Sequence, residues 1–255
     1  MAREKKVSIK YFDNMKVKST KSGAQLYMRL RYDGLQAEIP SLYKEMHAQR
    51  LGIDDIPENY IFFQTTESRF GESDHKFETS VVHVTQEEKK SYLEIEKEAV
   101  SKIIQLYLNQ GINIIGSKPK TYIQYNFTSL SFLLDRHAGL RLSKSLFDQG
   151  YVDLAGIIQF EQPLTKKYGA LLSISADAFK TQVLDKYRPL FDAVKALESL
   201  RELNEVLRVY QWRLKRDECI KSLTQQSITF NNESIIKLLD ESIEHHLSQL
   251  AITVP

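Results

Sequence analysis

The sequence predicts an α+β protein: an N-terminal antiparallel β-sheet followed by a mainly helical body with one long C-terminal helix. Three observations carry this. Apolar residues alternate with polar ones in two early runs, the period of strands with one wet and one buried face. Asp33-Gly34 ends the second run, a strong hairpin signal because both turn positions need positive φ. From residue 85 onward the apolar period becomes that of helices. The expected regions are a basic β domain over 1–84, a helical domain over 85–170 and a long-helix region over 171–255.

In the first run Val7, Ile9 and Tyr11 alternate with Ser8, Lys10 and Phe12. In the second, Leu26, Met28, Leu30 and Tyr32 alternate with Gln25, Tyr27, Arg29 and Arg31. The return strand, Leu35 to Ile39, stops at Pro40, and a short helix is expected over 41–50. Tyr60–Thr66 and Lys76–Val84 read as further strands. Thr85 and Glu88 form a capping box for a helix whose apolar stripe includes Leu93, Val100, Ile104 and Tyr107, with Gly111 as its stop. Pro119 suits the first turn of the next helix, expected to end near Gly139 with Asp135-Arg136-His137 at its close. Shorter helices are expected at 143–149 and 151–160. The stretch 176–217 should break or kink at Pro189 and run on as one helix, about 42 Å long from residue 190. A last helix over 232–250 takes Asn231 or Asn232 as its cap.

A chain of 255 residues that is 42% hydrophobic and 27% charged can bury a core, which excludes a disordered class. One cysteine, Cys219, excludes an internal disulfide framework and fits a reducing compartment, so a cytoplasmic location is expected. No apolar run is long enough to span a membrane, and the first residues lack the apolar core of a secretory signal. No glycine-rich phosphate loop or dinucleotide fingerprint occurs. No cofactor and no catalytic role are therefore expected, although a site assembled from distant residues leaves no motif to read.

Charge supplies the functional signal. Residues 1–50 hold eleven Lys/Arg and five Asp/Glu, a net +6 in a chain of net +2, so residues 51–255 carry −4. A basic end on an otherwise acidic chain points to a polyanionic partner. Tyr27, Arg29 and Arg31 share the wet face of the second strand, about 7 Å between alternate residues. Lys10 and the Lys16/Lys18/Lys21 turn are close to them in sequence. Cationic side chains neutralise phosphates, and a guanidinium can read guanine in a groove. A solvated strand face is the simpler alternative.

Other candidates are weaker. Asp74, His75 and His83 show no third metal ligand, and His245-His246 project about 100° apart on a helix, so both sets read as surface histidines. Cys219 has Lys215, Arg216 and Lys221 nearby but no histidine partner in sequence, which fits an incidental thiol. Leu200, Leu207 and Leu214 recur every seven residues, flanked by Leu203 and Tyr210; this line is a candidate dimer or partner interface. Asn204 and Gln211 occupy the other seam position and the register spans fewer than four heptads, so internal packing competes.

The stretch VSIKYFDNMKVKSTKSGAQLYMRLRYDGLQAEIP places Lys16, Lys18, Lys21, Gly23, Asp33 and Gly34 in a strand, basic turn, strand, Asx-Gly turn and return strand. It resembles the arm-type DNA-binding domain of tyrosine recombinases of mobile elements. The segment KPKTYIQYNFTSLSFLLDRHAG is similar to the helical core-binding domain of that family. The chain departs from the family where cleavage chemistry belongs, because no tyrosine follows Tyr210. The resemblance implies DNA binding, DNA rather than RNA, without strand cleavage. The expected function is thus a non-catalytic nucleic-acid-binding protein of a mobile element or phage. The alternative is an assembly subunit that docks through its long helix.

Overall fold

Strands form where the sequence alternates. The computed structural model describes residues 6–13, 26–42, 86–159, 185–199 and 206–250. Strands β1 (Ser8–Asp13), β2 (Leu26–Tyr32) and β3 (Leu35–Pro40) make an antiparallel sheet in the order β1-β2-β3. The Asp33-Gly34 turn between β2 and β3 has positive φ at both residues, 50° and 79°. This is the mirror-image turn that suits strand twist. It fixes the pairing of Arg29 with Glu38 and of Arg31 with Gln36. On the far side Lys10 pairs with Arg29 and Ser8 with Arg31.

The chain divides into two compact units, Met1–Gln124 and Tyr125–Pro255. In the first unit the sheet buries Ile9, Met28, Leu30 and Ile39. The short 3-10 turn Ile114–Gly116 packs against β2 and β3. Helix α1 (Gln86–Leu108) buries Tyr92, Ala99, Val100, Ile103, Ile104 and Tyr107, close to the predicted stripe. Gly111, at φ 76°, follows its end. Helix α2 (Pro119–Phe127) starts at the predicted proline, and Tyr122 meets Tyr107 edge-on at 4.8 Å.

A buried polar anchor holds this unit. Glu96 of α1 is fully buried. It accepts hydrogen bonds from the Ser41 hydroxyl at 2.7 Å and from the Leu42 backbone N–H. These ties fasten the end of the sheet to the helix, and they satisfy a carboxylate that could not otherwise be buried. The Tyr11 hydroxyl donates to the Leu93 carbonyl at 3.1 Å. Burial, and then the nearby Glu96, raise the Tyr11 pKa far above its ordinary value of 10.0.

The second unit is built around α3 (Leu130–Asp148), which packs against α4 (Val152–Gln159), α5 (Asp185–Ser199) and the last helix, α7 (Glu233–Ser248). Between them run α6 (Val209–Gln226) and the 3-10 turn Ile228–Asn231. The core includes Leu134, Leu142, Phe191, Val194, Trp212 and Leu239. Ser129 caps α3, its side chain accepting from the Phe132 N–H. The helix runs straight through Gly139, so the expected stop there and the separate helix at 143–149 are one element. Buried Ala138, Leu142 and Leu146 on either side outweigh the roughly 1 kcal/mol that an interior glycine costs. Asn232 caps α7 as expected, accepting from the Ser234 N–H.

The single long helix is corrected. Pro189 does not end α5; it sits in the second turn and gives up only the first interior hydrogen bond after Asp185. The interruption comes later, at residues 206–208. There the backbone pairs with residues 128–130: Leu130 N–H donates to the Leu207 carbonyl at 2.9 Å, and Val209 N–H donates to the Thr128 carbonyl at 3.0 Å. Backbone groups spent on this bridge are lost to a helical ladder. Arg208 locks the bridge, buried to 2% with its guanidinium 3.9 Å over the Phe127 ring and Nη1 donating to the Phe127 carbonyl at 3.0 Å. Burial pulls this group down to about 10, so it stays charged at neutral pH. A further kink falls at Lys215, where φ and ψ leave the helical region.

Two histidines couple this unit to pH. The His246 ring stacks on Tyr125 at 4.5 Å, and its Nε2 donates to the Tyr125 carbonyl at 3.1 Å. His137, on α3, carries a buried Nε2 with no hydrogen-bond partner among the described residues. Burial first, then neighbouring cations, lowers both below their ordinary value of 6.5. A depressed folded-state pKa means stability that is complete above 6.5 and lost as pH falls through the folded-state values. The thermal midpoint is expected to drop by a few degrees between neutral pH and about pH 5. The His137→Gln/His246→Gln variant should flatten that slope; an unchanged slope would count against it.

Candidate nucleic-acid interface

Alternation puts one set of side chains outward across all three strands. On β2 these are Tyr27, Arg29 and Arg31, while Met28 and Leu30 between them are fully buried. The predicted facing of that strand is therefore what the structure has. β1 brings exposed Lys10 beside Arg29. β3 adds Gln36 beside Arg31 and Glu38 beside Arg29.

The two arginines are held rather than loose. Arg29 forks its Nε and Nη2 onto the same Glu38 oxygen, each at 2.8 Å. Arg31 Nε donates to the Gln36 side-chain oxygen at 2.7 Å. These bonds run across the sheet and cut the freedom of two long side chains. The Arg29–Glu38 pair is more than a third exposed on both sides, and such pairs contribute only about 0–1 kcal/mol, so a phosphate can compete for the guanidinium. Lys10, Arg29 and Arg31 thus form a cationic patch that Glu38 borders.

Sequence reasoning missed the orienting role of Gln36 and Glu38. The signal was present: a two-residue turn at 33–34 dictates that 29 faces 38 and 31 faces 36. Lys16, Lys18 and Lys21 lie outside the described residues, as do the short helix after Leu42, the strands expected over 60–84, Thr85, Asp74, His75 and His83. Among the described residues no group of three or more His, Cys, Asp or Glu is placed to hold a metal. Also among them, no helix is long and apolar enough to cross a membrane.

Among the described residues, Leu207, Tyr210 and Leu214 do not share one exposed surface. Leu200 and Leu203 lie outside the described residues. Leu207 is in the extended bridge and packs against the core, Tyr210 is 7% exposed and Leu214 is 42% exposed. Residues 206–208 are not helical, so Leu207 does not share a helical phase with Tyr210 and Leu214. Cys219 is buried, and burial raises its thiol pKa first, with Glu218 adding to it, opposite to what a reactive thiol needs. His245 and His246 belong to the last turn of α7, His246 serving the packing described above. Asp135-Arg136-His137 lies inside α3 rather than at its end.

No protein-family model, no curated protein and no solved structure matches the chain.

Proposed function

We propose that the chain is a non-catalytic nucleic-acid-binding protein that grips phosphates with the outer face of its N-terminal sheet. The observation that carries this reading is the row of Lys10, Arg29 and Arg31 on one face, with both guanidiniums oriented by cross-strand partners. Arg29 and Arg31 at alternate-residue spacing, with Lys10 opposite Arg29 on the next strand, give a cluster of cations for phosphates, and Tyr27 adds an aromatic surface beside them. The resemblance of residues 7–40 to arm-type domains favours DNA over RNA and a mobile-element or phage setting. The single cysteine favours a reducing, cytoplasmic location.

The test is binding of the full chain to random single- and double-stranded oligonucleotides across a salt series. If Lys10, Arg29 and Arg31 each meet a phosphate, log affinity falls against log salt with a slope of about −3 for duplex; engagement of Lys16, Lys18 and Lys21 as well takes it towards −5. A slope near zero removes the proposal. A second expectation concerns Glu38. Replacing it by Gln removes the negative charge that competes with phosphate for Arg29, so Glu38→Gln should tighten binding several-fold at low salt. Unchanged or weaker binding would mean that Glu38 serves to aim Arg29 rather than to compete for it.

A further inference from the structure

The outward side of α3 is unlike the rest of the described surface. Phe132, Leu140 and Phe147 are 55%, 52% and 61% exposed, and Val152 follows at 56%. Phe132, Arg136, Leu140 and Lys144 stand four residues apart, and residues at that spacing form a continuous ridge along a helix. The ridge runs for about 22 Å from Phe132 to Phe147. Its open apolar surface is on the order of 400 Å², within the roughly 300–600 Å² of a monomer's largest patch, which is often functional. None of these side chains is part of the sheet face.

We propose that this ridge docks an amphipathic helix of a partner protein, apolar along one stripe and acidic at its middle. Charge chooses the occupant. Arg136 and Lys144 are exposed and flank Leu140, so the centre of the ridge is cationic, while exposed Asp148 and Asp153 mark its far end. A helix with apolar anchors at three- and four-residue spacing, glutamates beside Arg136 and Lys144, and a lysine near Asp148 satisfies every group. A second copy of this chain does not. Two-fold pairing centred on Leu140 sets Arg136 against the second copy's Lys144, and like charges across an interface are costly. Nucleic acid is the poorer fit as well, because large apolar side chains outnumber the cations along the ridge.

The probe is a synthetic amphipathic peptide of about 20 residues, long enough to be helical when bound, with leucines on one stripe and glutamates flanking its middle. Anisotropy with the full chain should show salt-sensitive binding. Leu140→Asp or Phe147→Asp should weaken it at least about tenfold. Ile228→Asp, which changes another exposed apolar residue (84%), should leave it unchanged. A peptide with lysines in place of the glutamates should bind weakly, and Arg136→Glu/Lys144→Glu should reverse the preference. Equal binding of both peptides, or binding indifferent to Leu140→Asp, overturns the proposal. So does a dimer in sedimentation that Leu140→Asp dissolves, because the occupant is then a second copy. Competition by an oligonucleotide that Arg29→Glu/Arg31→Glu does not relieve overturns it too, since the ridge then serves nucleic acid. No peptide binding, together with a folded-state stability lost on Leu140→Asp, means that the chain itself covers the ridge.

Discussion

Glu96→Ala lowers the stability of the N-terminal unit by about 3 kcal/mol, because two buried donors lose their acceptor at about 1–3 kcal/mol each. The donors are the Ser41 hydroxyl and the Leu42 N–H, with Glu96 fully buried and Ser41 nearly so. Denaturant unfolding with a probe in the sheet reads the loss. Glu96→Gln keeps one carbonyl oxygen as acceptor and should recover about half of it. Equal midpoints for Glu96→Ala and the parent chain would show that the anchor contributes nothing net. Tyr11 adds a pH signature on the alkaline side. Its raised folded-state pKa gives stability that is complete below 10 and lost as pH climbs above it. Tyr11→Phe should remove that alkaline loss.

Arg208→Ala costs the helical unit about 3 kcal/mol, and Arg208→Lys recovers little of it. The guanidinium lies over Phe127 and donates to its carbonyl, so truncation removes the stacking and the hydrogen bond and leaves a cavity. Lysine restores charge without the planar fork, which is why the conservative change should fail. Thermal melts followed by the near-ultraviolet signal of Trp212, buried in the same unit, are the measurement. Stability of Arg208→Lys equal to the parent chain would reduce the role of Arg208 to charge alone.

How much of this was legible in the sequence depends on the distance over which each feature is decided. The β2–β3 hairpin is local: alternation sets the faces and Asp33-Gly34 sets the register, so Arg29 and Arg31 could be placed outward from the sequence. The pairing of Lys10 with Arg29 was not legible, because the connection over 14–25 is too long to fix a register. Helix α1 announced itself by period. The break at 206–208 did not, since Leu200, Leu207 and Leu214 keep a seven-residue spacing through it; what overrides the pattern is a backbone bridge to residues 128–130, nearly eighty positions away. Glu96 and Arg208 escaped notice for the same reason. A charged residue in a helical pattern reads as solvent-facing until the tertiary partner that buries it is known. The ridge of Phe132, Leu140 and Phe147 on α3 was not legible either, because which side of a helix stays bare depends on the packing of α4, α5 and α7 on its other sides.

The affinity of the Arg29→Glu/Arg31→Glu variant for a random oligonucleotide at low salt decides whether the sheet face grips nucleic acid. Both side chains lie on the wet face, so the variant should fold with the same circular dichroism as the parent chain. Binding seen with the parent chain should be lost in the variant at the same low salt. Parent-like affinity in the folded variant would contradict it, and would move the search for a polyanion site away from the sheet.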